Sequence, residues 1–557
     1  MRYRYIYILL AGIILTAFGC QKGFLNTQID TFYTPATVAT NRATLFSFGN
    51  AFYTQIQTGY FALDNNLFAA ASDEAQETLP TTNTLIYNQG LLSASSNPQN
   101  PLYKTYFDGI RAANFFLEYS KNAHAILTAG RDTVVDATNY ANDQLNLSWY
   151  QAEAHIARAY YYSELIKRWG GVPIVTSSLQ NASTEYIPRS SYDSCVNYIV
   201  SEINNYKSGL NVNYRTNNSG NDGRFCLGVA LAIEARTLLY AASPLHNPTN
   251  DVTKWQKAAA AAYAVMTTPG LSYSLYASGY GNYFIGNNML GNAETIFAVR
   301  GVAGSTQETQ EYPITTPGGN SGVTPSNNLV SDYEYIGPPV PSNIYANRDP
   351  RLAATVVTNN STWNGRTIDE SPGGTDDMAI TNTSKTGYYL KKFLTDNVNL
   401  TQGGTAQHQW VLYRYAEILL DYAEAMNEAY GPDNANGYTL TARQALKMVR
   451  DRASTSLPLV TVATVAGFRA AVKHERRIEL AFEDHRYWDL LRWNDAGTVL
   501  NQPITGVQVT KVSPGVFSYQ SVNVSTRAFN DPINYYYPFS LTEIGNSNGT
   551  LTQNPGY

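Results

Sequence analysis

Two carboxylates near the C-terminal end have a spacing that could support acid–base chemistry. Glu479 and Glu483 lie four residues apart within His474–Trp493, a stretch without Pro or Gly, so the pattern predicts a single helix with both groups on one face. Such a pair can cleave glycosidic bonds if one carboxyl stays protonated. Arg476 and Arg486 each lie three residues from one of these carboxylates, and a neighbouring cation favours the ionised form. We therefore interpret the stretch as a half-buried structural brace rather than a catalytic pair.

The composition favours an uncharged polar ligand. The chain has 557 residues, a net charge of −5, only 15% charged residues and 43 tyrosines. The chain has no excess of basic residues, so its composition does not indicate nucleic-acid binding. Abundant Tyr, Asn, Thr and Ser offer stacking faces and neutral hydrogen-bonding groups. The length is sufficient for several domains or for one larger body.

The first twenty residues predict a lipoprotein leader, residues 1–19. Arg2 and Arg4 precede an apolar run, Tyr5–Phe18, which ends in Gly19 and Cys20. The run is too short to span a membrane, and the order of basic, apolar and small residues is typical of a secretory signal. The end of the run resembles a bacterial lipobox, although the residue two places before the cysteine is larger than usual. We predict that Cys20 is lipidated and anchors the mature chain to the membrane.

The remaining cysteines and the histidines give no sign of a metal site or a cofactor. Cys195 and Cys226 could form a disulfide in an oxidising compartment or remain two buried thiols, and the sequence does not decide between them. His474-Glu475 lacks the second histidine four residues on that a zinc-protease helix needs. No metal or cofactor is predicted.

Most of the chain has the pattern of paired helices. Alanines at the contact positions allow close approach, and the pairs resemble tetratricopeptide units, although no strict 34-residue period is present. The predicted helices are 41–60, Leu67–Ser72, Tyr103–Asn122, Leu147–Trp169, 192–207, Leu227–Ala242, Trp255–Met266, Leu412–Glu428 and Thr441–Ala453. The predicted fold class is mainly α, a helical-repeat scaffold with long irregular loops and minor β-strands.

Two regions interrupt this pattern. Gln76–Asn100 and 269–409 are rich in Gly, Thr, Asn, Ser and Pro without a period, which predicts long loops of the kind that often carry function. Within the second region, short strands are predicted at Thr295–Arg300, Ala353–Thr358 and Tyr388–Phe393.

Several long motifs in the expected order resemble the SusD/RagB family of nutrient-binding lipoproteins. Glu475–Leu490 (ERRIELAFEDHRYWDL) is the most specific of them. The others are Arg158–Leu165, Trp169–Pro173, Pro188–Tyr192, Asn347–Leu352, Gly387–Phe393 and Gln553–Tyr557. Tyr537-Pro538-Phe539 departs from the usual Pro-Ile-Pro. The resemblance covers the mature chain and implies an N-terminal helical region at 20–268 and a C-terminal region at 269–557, which includes the loop-rich insert 269–409, in one compact body.

The resemblance also implies a function. Family members of this type are expected at the outer membrane, facing outward, where they bind oligosaccharide and deliver it to a SusC-like TonB-dependent transporter without catalysis. Three alternatives stay open: a peptide-binding member of the same family, a surface glycoside hydrolase, and a helical-repeat adaptor.

A site that binds sugar without catalysis needs aromatic rings that pack on the C–H surfaces of the sugar and amide groups that hydrogen-bond to its hydroxyls. We predict the ligand site in the loops Gln76–Asn100 and Val302–Trp363. The candidate contact residues are Asn83, Tyr87, Tyr312, Tyr333, Tyr335 and Trp363. For each ring, the alternative is that it only holds its own loop in place.

Overall fold

A computed structural model describes residues 42–179, 186–215 and 219–557. The predicted leader, the lipobox and Cys20 lie outside these residues. The α-helices are α1 Arg42–Ala51, α2 Thr82–Asn88, α3 Pro101–Tyr119, α4 Ala123–Thr128, α5 Ala137–Trp169, α6 Tyr192–Tyr206, α7 Leu227–Ala242, α8 Val252–Thr267, α9 Tyr280–Tyr283, α10 Thr306–Glu311, α11 Asn327–Val330, α12 Arg351–Thr355, α13 Tyr415–Tyr430, α14 Ala442–Arg450, α15 Val465–Glu479, α16 Arg486–Arg492, α17 Ala496–Val499 and α18 Leu541–Asn546.

The strands are short and pair two by two. They are β1 Ala75–Glu77, β2 Thr295–Arg300, β3 Val323–Pro325, β4 Val356–Val357, β5 Thr362–Trp363, β6 Arg366–Thr367, β7 Tyr389–Leu390, β8 Gln409–Arg414, β9 Ile504–Ser513 and β10 Val516–Ser525. The antiparallel pairs are β1 with β3, β2 with β8, β4 with β7, β5 with β6, and β9 with β10. The pair β1–β3 joins the two regions predicted as ligand loops.

The helices pack in succession, as the alanine pattern predicts. Helix α3 packs on α5, α5 on α6, α7 on α8, α8 on α13, and α13 on both α14 and α15. Ala258, Ala259 and Ala262 on α8 are buried, and these small side chains let the helix backbones approach closely. The prediction of a mainly helical scaffold with minor strands is confirmed.

Some helix and strand boundaries match those predicted from the sequence, and others do not. Helix α7 and strand β2 have the predicted ends. Gln76–Asn100 is not all loop, because Thr81 caps α2 by accepting a hydrogen bond from the Thr84 amide. The hairpin β9–β10 was not predicted, although its first strand alternates buried and exposed residues over 507–510.

The largest difference lies in the stretch predicted as a single helix from His474 to Trp493. Helix α15 ends at Glu479 and α16 begins at Arg486. Between them, Phe482 and Asp484 have φ of 65° and 60°, a left-handed conformation that is costly for residues other than glycine. The prediction of one continuous helix is therefore wrong.

Two further features concern the membrane and the thiols. In the described part of the chain, no helix combines the length and the apolarity needed to cross a bilayer. Cys195 and Cys226 are both buried and both free, so the alternative of two buried thiols is the one that the structure adopts.

Candidate functional site

The carboxylate pair Glu479 and Glu483 lies in a buried ionic core. Glu479 is fully buried and accepts hydrogen bonds from Arg351 at 2.9 Å, from Arg414 at 2.8 Å and from Arg452. Arg414 also donates to Glu483 at 2.6 Å. We use the name ionic core for Glu294, Asp349, Arg351, Lys392, Arg414, Arg452, Glu475, Glu479 and Glu483.

The partners of these carboxylates are not the arginines that the sequence suggested. Arg476 pairs with Asp421 and Asp489, and Arg486 pairs with Asp73 at 2.8 Å. The stretch is buried rather than half-buried, and the counter-ions of Glu479 and Glu483 come from other parts of the chain. Its role as a structural brace stays an interpretation.

Glu479 and Glu483 do not have the raised pKa that a catalytic acid needs. Burial alone would raise the pKa of Glu479, but Arg452, Arg414 and Arg351 outweigh it and lower that pKa to about 2. Burial is likewise outweighed at Glu483, whose pKa Arg414 and Lys392 lower. Both groups are ionised at neutral pH, so neither can protonate a leaving group there.

Four of the six predicted contact residues are buried rings. Tyr87 donates to the Tyr537 hydroxyl at 3.0 Å, and the rings of Tyr312 and Trp363 meet edge to face with centroids 6.0 Å apart. Tyr333 is also buried. These contacts are those expected of rings that hold their own loops. Contact of any of the four with a ligand stays a prediction.

The other two predicted residues are more accessible. Asn83 is half-buried and donates to Asp64 at 2.7 Å. Tyr335 is 41% exposed, with the Arg348 guanidinium over one face at 4.4 Å from the ring centroid. Their role in binding also stays a prediction.

Two adjoining cavities border the predicted loops. The outer groove, about 290 Å³, is lined by Thr58, Tyr60, Phe61, Val299, Arg300, Gly301, Val302, Gly304, Thr306, Gln307, His408 and Trp410. The inner chamber, about 190 Å³, is lined in part by Gln57, Ala62, Pro98, Gln99, Tyr106, Glu164, Lys167, Arg168, Arg236, Glu483, Asp484 and His485. Thr58, Phe61 and Trp410 line both. None of the six predicted contact residues lines either cavity.

The segment after α1 turns one ring inward and the next outward. The Tyr60 hydroxyl donates to the Gln409 carbonyl at 2.9 Å, and its ring packs edge-on against Trp410 at 4.9 Å. Phe61 is 40% exposed. A Cβ on Gly59 would lie 2.0 Å from the Trp410 ring, so only glycine allows the backbone this close to the indole.

The outer groove combines apolar faces with neutral polar groups. Phe61 and Val302, the latter 90% exposed, provide apolar surface, and Thr58, Thr306 and Gln307 provide hydrogen-bonding groups. In the described structure, the Nδ1 atom of His408 is buried without a hydrogen-bond partner. This mixture is typical of sites for small uncharged polar ligands.

Sequence reasoning missed Phe61 and Trp410. The predicted helix 41–60 hid the turn that exposes Phe61, because α1 ends at Ala51. The signal that could have found it is Gly59-Tyr60-Phe61, a glycine followed by two rings, which marks a close backbone approach.

The described residues suggest no metal site. Within 42–179, 186–215 and 219–557, no three His, Cys, Asp or Glu side chains are arranged as ligands for an ion.

A scaffold of successive helix pairs with cavities bordered by long loops defines a helical-repeat protein. Comparison with known families is specific: the model for the SusD family matches residues 293–557, and a model described as starch-binding associating with outer membrane matches residues 24–216. The chain belongs to the SusD/RagB family, as the motifs predict.

Individual relatives are distant but cover most of the chain. A SusD-like protein from Formosa agariphila is 24% identical over 376 residues, which is 65% of this chain and 70% of the relative. A crystal structure of a SusD-like protein from Bacteroides fragilis has a TM-score of 0.76 at 24% identity, covering 94% of this chain and 98% of that one. A second B. fragilis structure, described as a SusD-like carbohydrate binding protein, has a TM-score of 0.73 at 23% identity, covering 92% of this chain and 99% of that one.

Proposed function

We propose that this protein captures a neutral oligosaccharide in the outer groove at the cell surface and delivers it to a SusC-like TonB-dependent outer-membrane transporter. The lipid on Cys20 would hold it at the membrane. The observation that carries the proposal is Phe61, a half-exposed ring at the mouth of a groove whose hydrogen-bonding side chains are mostly neutral.

The charge of the outer groove supports an oligosaccharide rather than a peptide as the ligand. The groove's single cation in the described residues, Arg300, is already paired with Asp222 at 3.4 Å. A peptide with charged termini or side chains would therefore find few free counter-charges there. Sugar hydroxyls need only donors and acceptors such as Thr58, Thr306 and Gln307.

Family membership supports the location and the ligand class. One family model is described as starch-binding and associating with outer membrane, and one structural neighbour is described as carbohydrate binding. Support for the anchor comes from the leader and Cys20.

The test is calorimetry with Phe61→Ala against a panel of neutral oligosaccharides that includes maltoheptaose. We expect about tenfold weaker binding, because an aromatic contact contributes roughly 0.5–1.5 kcal/mol beyond the area it buries, and 1.4 kcal/mol is tenfold. Ile285→Ala serves as the control, since Ile285 is also a large half-exposed apolar side chain, at 42%, but lines neither cavity.

Two results would contradict the proposal. One is a parent protein that binds none of the panel. The other is a folded Phe61→Ala variant that binds as tightly as the parent. Delivery is tested separately, by co-purification from outer membranes with the transporter encoded beside this gene.

A further inference from the structure

The inner chamber is walled by a strained turn that the motif Glu483-Asp484-His485 forms. Helix α15 ends at Glu479, and the chain passes through left-handed Phe482 and Asp484 before α16 begins. Non-glycine residues in this conformation persist only where the surrounding structure holds them, and they cluster at functional sites. Here the turn places Asp484 and His485 in the chamber lining.

The ions around the chamber already have partners. Glu164 accepts from Lys167 at 2.8 Å and from Arg168 at 2.7 Å. Arg236 pairs with Glu417 at 2.6 Å. Because breaking a buried ion pair is strongly unfavourable, these groups are not free to receive a charged ligand.

The carboxylate of Glu483, which also lines the chamber, is paired in the same way. Glu483 is held by Arg414 at 2.6 Å and by Lys392 at 2.7 Å. The chamber is therefore polar, and among the described residues of its lining Asp484 is the acidic group without an ion-pair partner.

Asp484 and His485 have unused hydrogen-bonding capacity. One Asp484 oxygen accepts from the Trp488 indole at 3.2 Å, which leaves its second oxygen available. Within the described residues, no protein group hydrogen-bonds to the His485 side chain. Burial, followed by Arg236 and Arg476, lowers the pKa of His485 well below its usual value, so the imidazole is neutral, with one donor and one acceptor.

We propose that the inner chamber is a binding site for one neutral sugar ring, and that it receives the end of an oligosaccharide whose next rings lie in the outer groove. The second half of this statement rests on the proposed function. The volume fits: about 190 Å³ is more than ten times the roughly 10–15 Å³ that a cavity needs to hold one water molecule. That space is enough for a single sugar ring.

The residues that line both cavities place the chamber site next to the groove site. Thr58, Phe61 and Trp410 contact both cavities, so a ring packed on Phe61 has its neighbour at the chamber. A glycan bound in this way presents a free end, and the protein should discriminate against chains whose ends are blocked.

The test uses the full chain and Ala62→Leu, which fills the chamber. Ala62 is half-buried and lines the chamber but not the groove. Ala264→Leu is the matched control, because Ala264 is also a half-buried alanine and lines neither cavity. The probes are glucose, galactose, mannose and xylose, observed through the ring carbon–proton resonances of ¹³C-labelled histidine, with His485→Gln assigning the resonance of His485.

At least one monosaccharide should shift the His485 resonance in the parent and in Ala264→Leu, and the shift should be lost in Ala62→Leu. A panel that shifts nothing, or a shift that persists in Ala62→Leu, overturns the chamber site. Calorimetry then tests the link to the groove. Ala62→Leu should weaken binding of a free-ended oligosaccharide at least fivefold and leave an end-blocked one unaffected.

The two proposals fail in different ways. If oligosaccharide binding depends on Phe61 but Ala62→Leu changes neither measurement, the chamber inference is wrong and the groove stands. If a monosaccharide shifts His485 but no oligosaccharide binds, the proposed function is wrong and the chamber remains a single-sugar site.

Discussion

Replacing Glu479 with alanine should destabilise the protein without changing ligand affinity per folded molecule. The carboxylate is fully buried and accepts hydrogen bonds from Arg351, Arg414 and Arg452. Each arginine keeps another acidic partner, since Glu475, Glu483 and Glu294 remain. The variant is left with an excess of buried positive charge, and breaking a buried pair typically costs about 3–5 kcal/mol.

The pKa of Glu479 gives a second estimate of the same order. Its pKa falls from an ordinary 4.5 to about 2, and each unit corresponds to about 1.4 kcal/mol, so the ionised group contributes roughly 3 kcal/mol. Because the folded pKa is the lower one, this stability is present above about pH 4.5 and is lost as the pH falls towards 2. The difference between the parent and Glu479→Gln should therefore shrink between pH 7 and pH 3.

Guanidinium titration and scanning calorimetry at both pH values measure this effect. The entropy of unfolding is about 2 cal/mol/K per residue. In a cooperative chain of this size, a loss of about 4 kcal/mol therefore lowers the Tm by only roughly 4 °C. The guanidinium midpoint is the more sensitive readout. Asp108→Ala is the control, because the Lys104–Asp108 pair is exposed and such pairs contribute little.

An unchanged midpoint for Glu479→Ala at pH 7 would refute this account of the ionic core. If that variant also lost a glycan-cleaving activity measurable in the parent after long incubation, the hydrolase alternative would be the better one.

Three further predictions test separate features. Cys20→Ala should yield a folded, ligand-competent protein in the soluble fraction, and firm membrane retention without the lipid would contradict the anchor. In thermal and chemical unfolding, Tyr335→Ala should cost only about 0.5–1 kcal/mol, because the exposed ring loses its contact with Arg348. Trp363→Ala should cost about 3–5 kcal/mol because the indole is buried; equal losses would contradict this contrast. Cys195 and Cys226 should both be alkylated by iodoacetamide in denatured, unreduced protein, as read by mass spectrometry, and a protected pair would show a disulfide.

The sequence predicts elements whose pattern is local. Helix α7 and strand β2 have their expected ends because apolar periodicity and flanking breakers act over a few residues. The turn between α15 and α16 was missed because the charge spacing is helical throughout. Only the left-handed Phe482 and Asp484 break the helix, and ordinary side chains give no local sign of that conformation.

The site was harder to predict than the fold for a related reason. Loops Gln76–Asn100 and Val302–Trp363 border the two cavities through Gln99 and Val302, yet the rings chosen within those loops are mostly buried. An exposed ring and a buried one look alike in sequence. Phe61 is exposed because Tyr60 occupies the inward position against Trp410, a long-range contact that no local pattern encodes.

The pairing of Asp73 with Arg486 has a consequence for how the chain folds. The two residues are 413 positions apart, and Arg477 joins the same carboxylate at 2.8 Å. Asp73 leaves the ribosome long before either arginine exists, so the early part of the chain has no counter-ion for it. Contacts of such long separation are slow to form. A chain truncated before Arg477 would therefore be left with a carboxylate at Asp73 that has neither of its arginine partners.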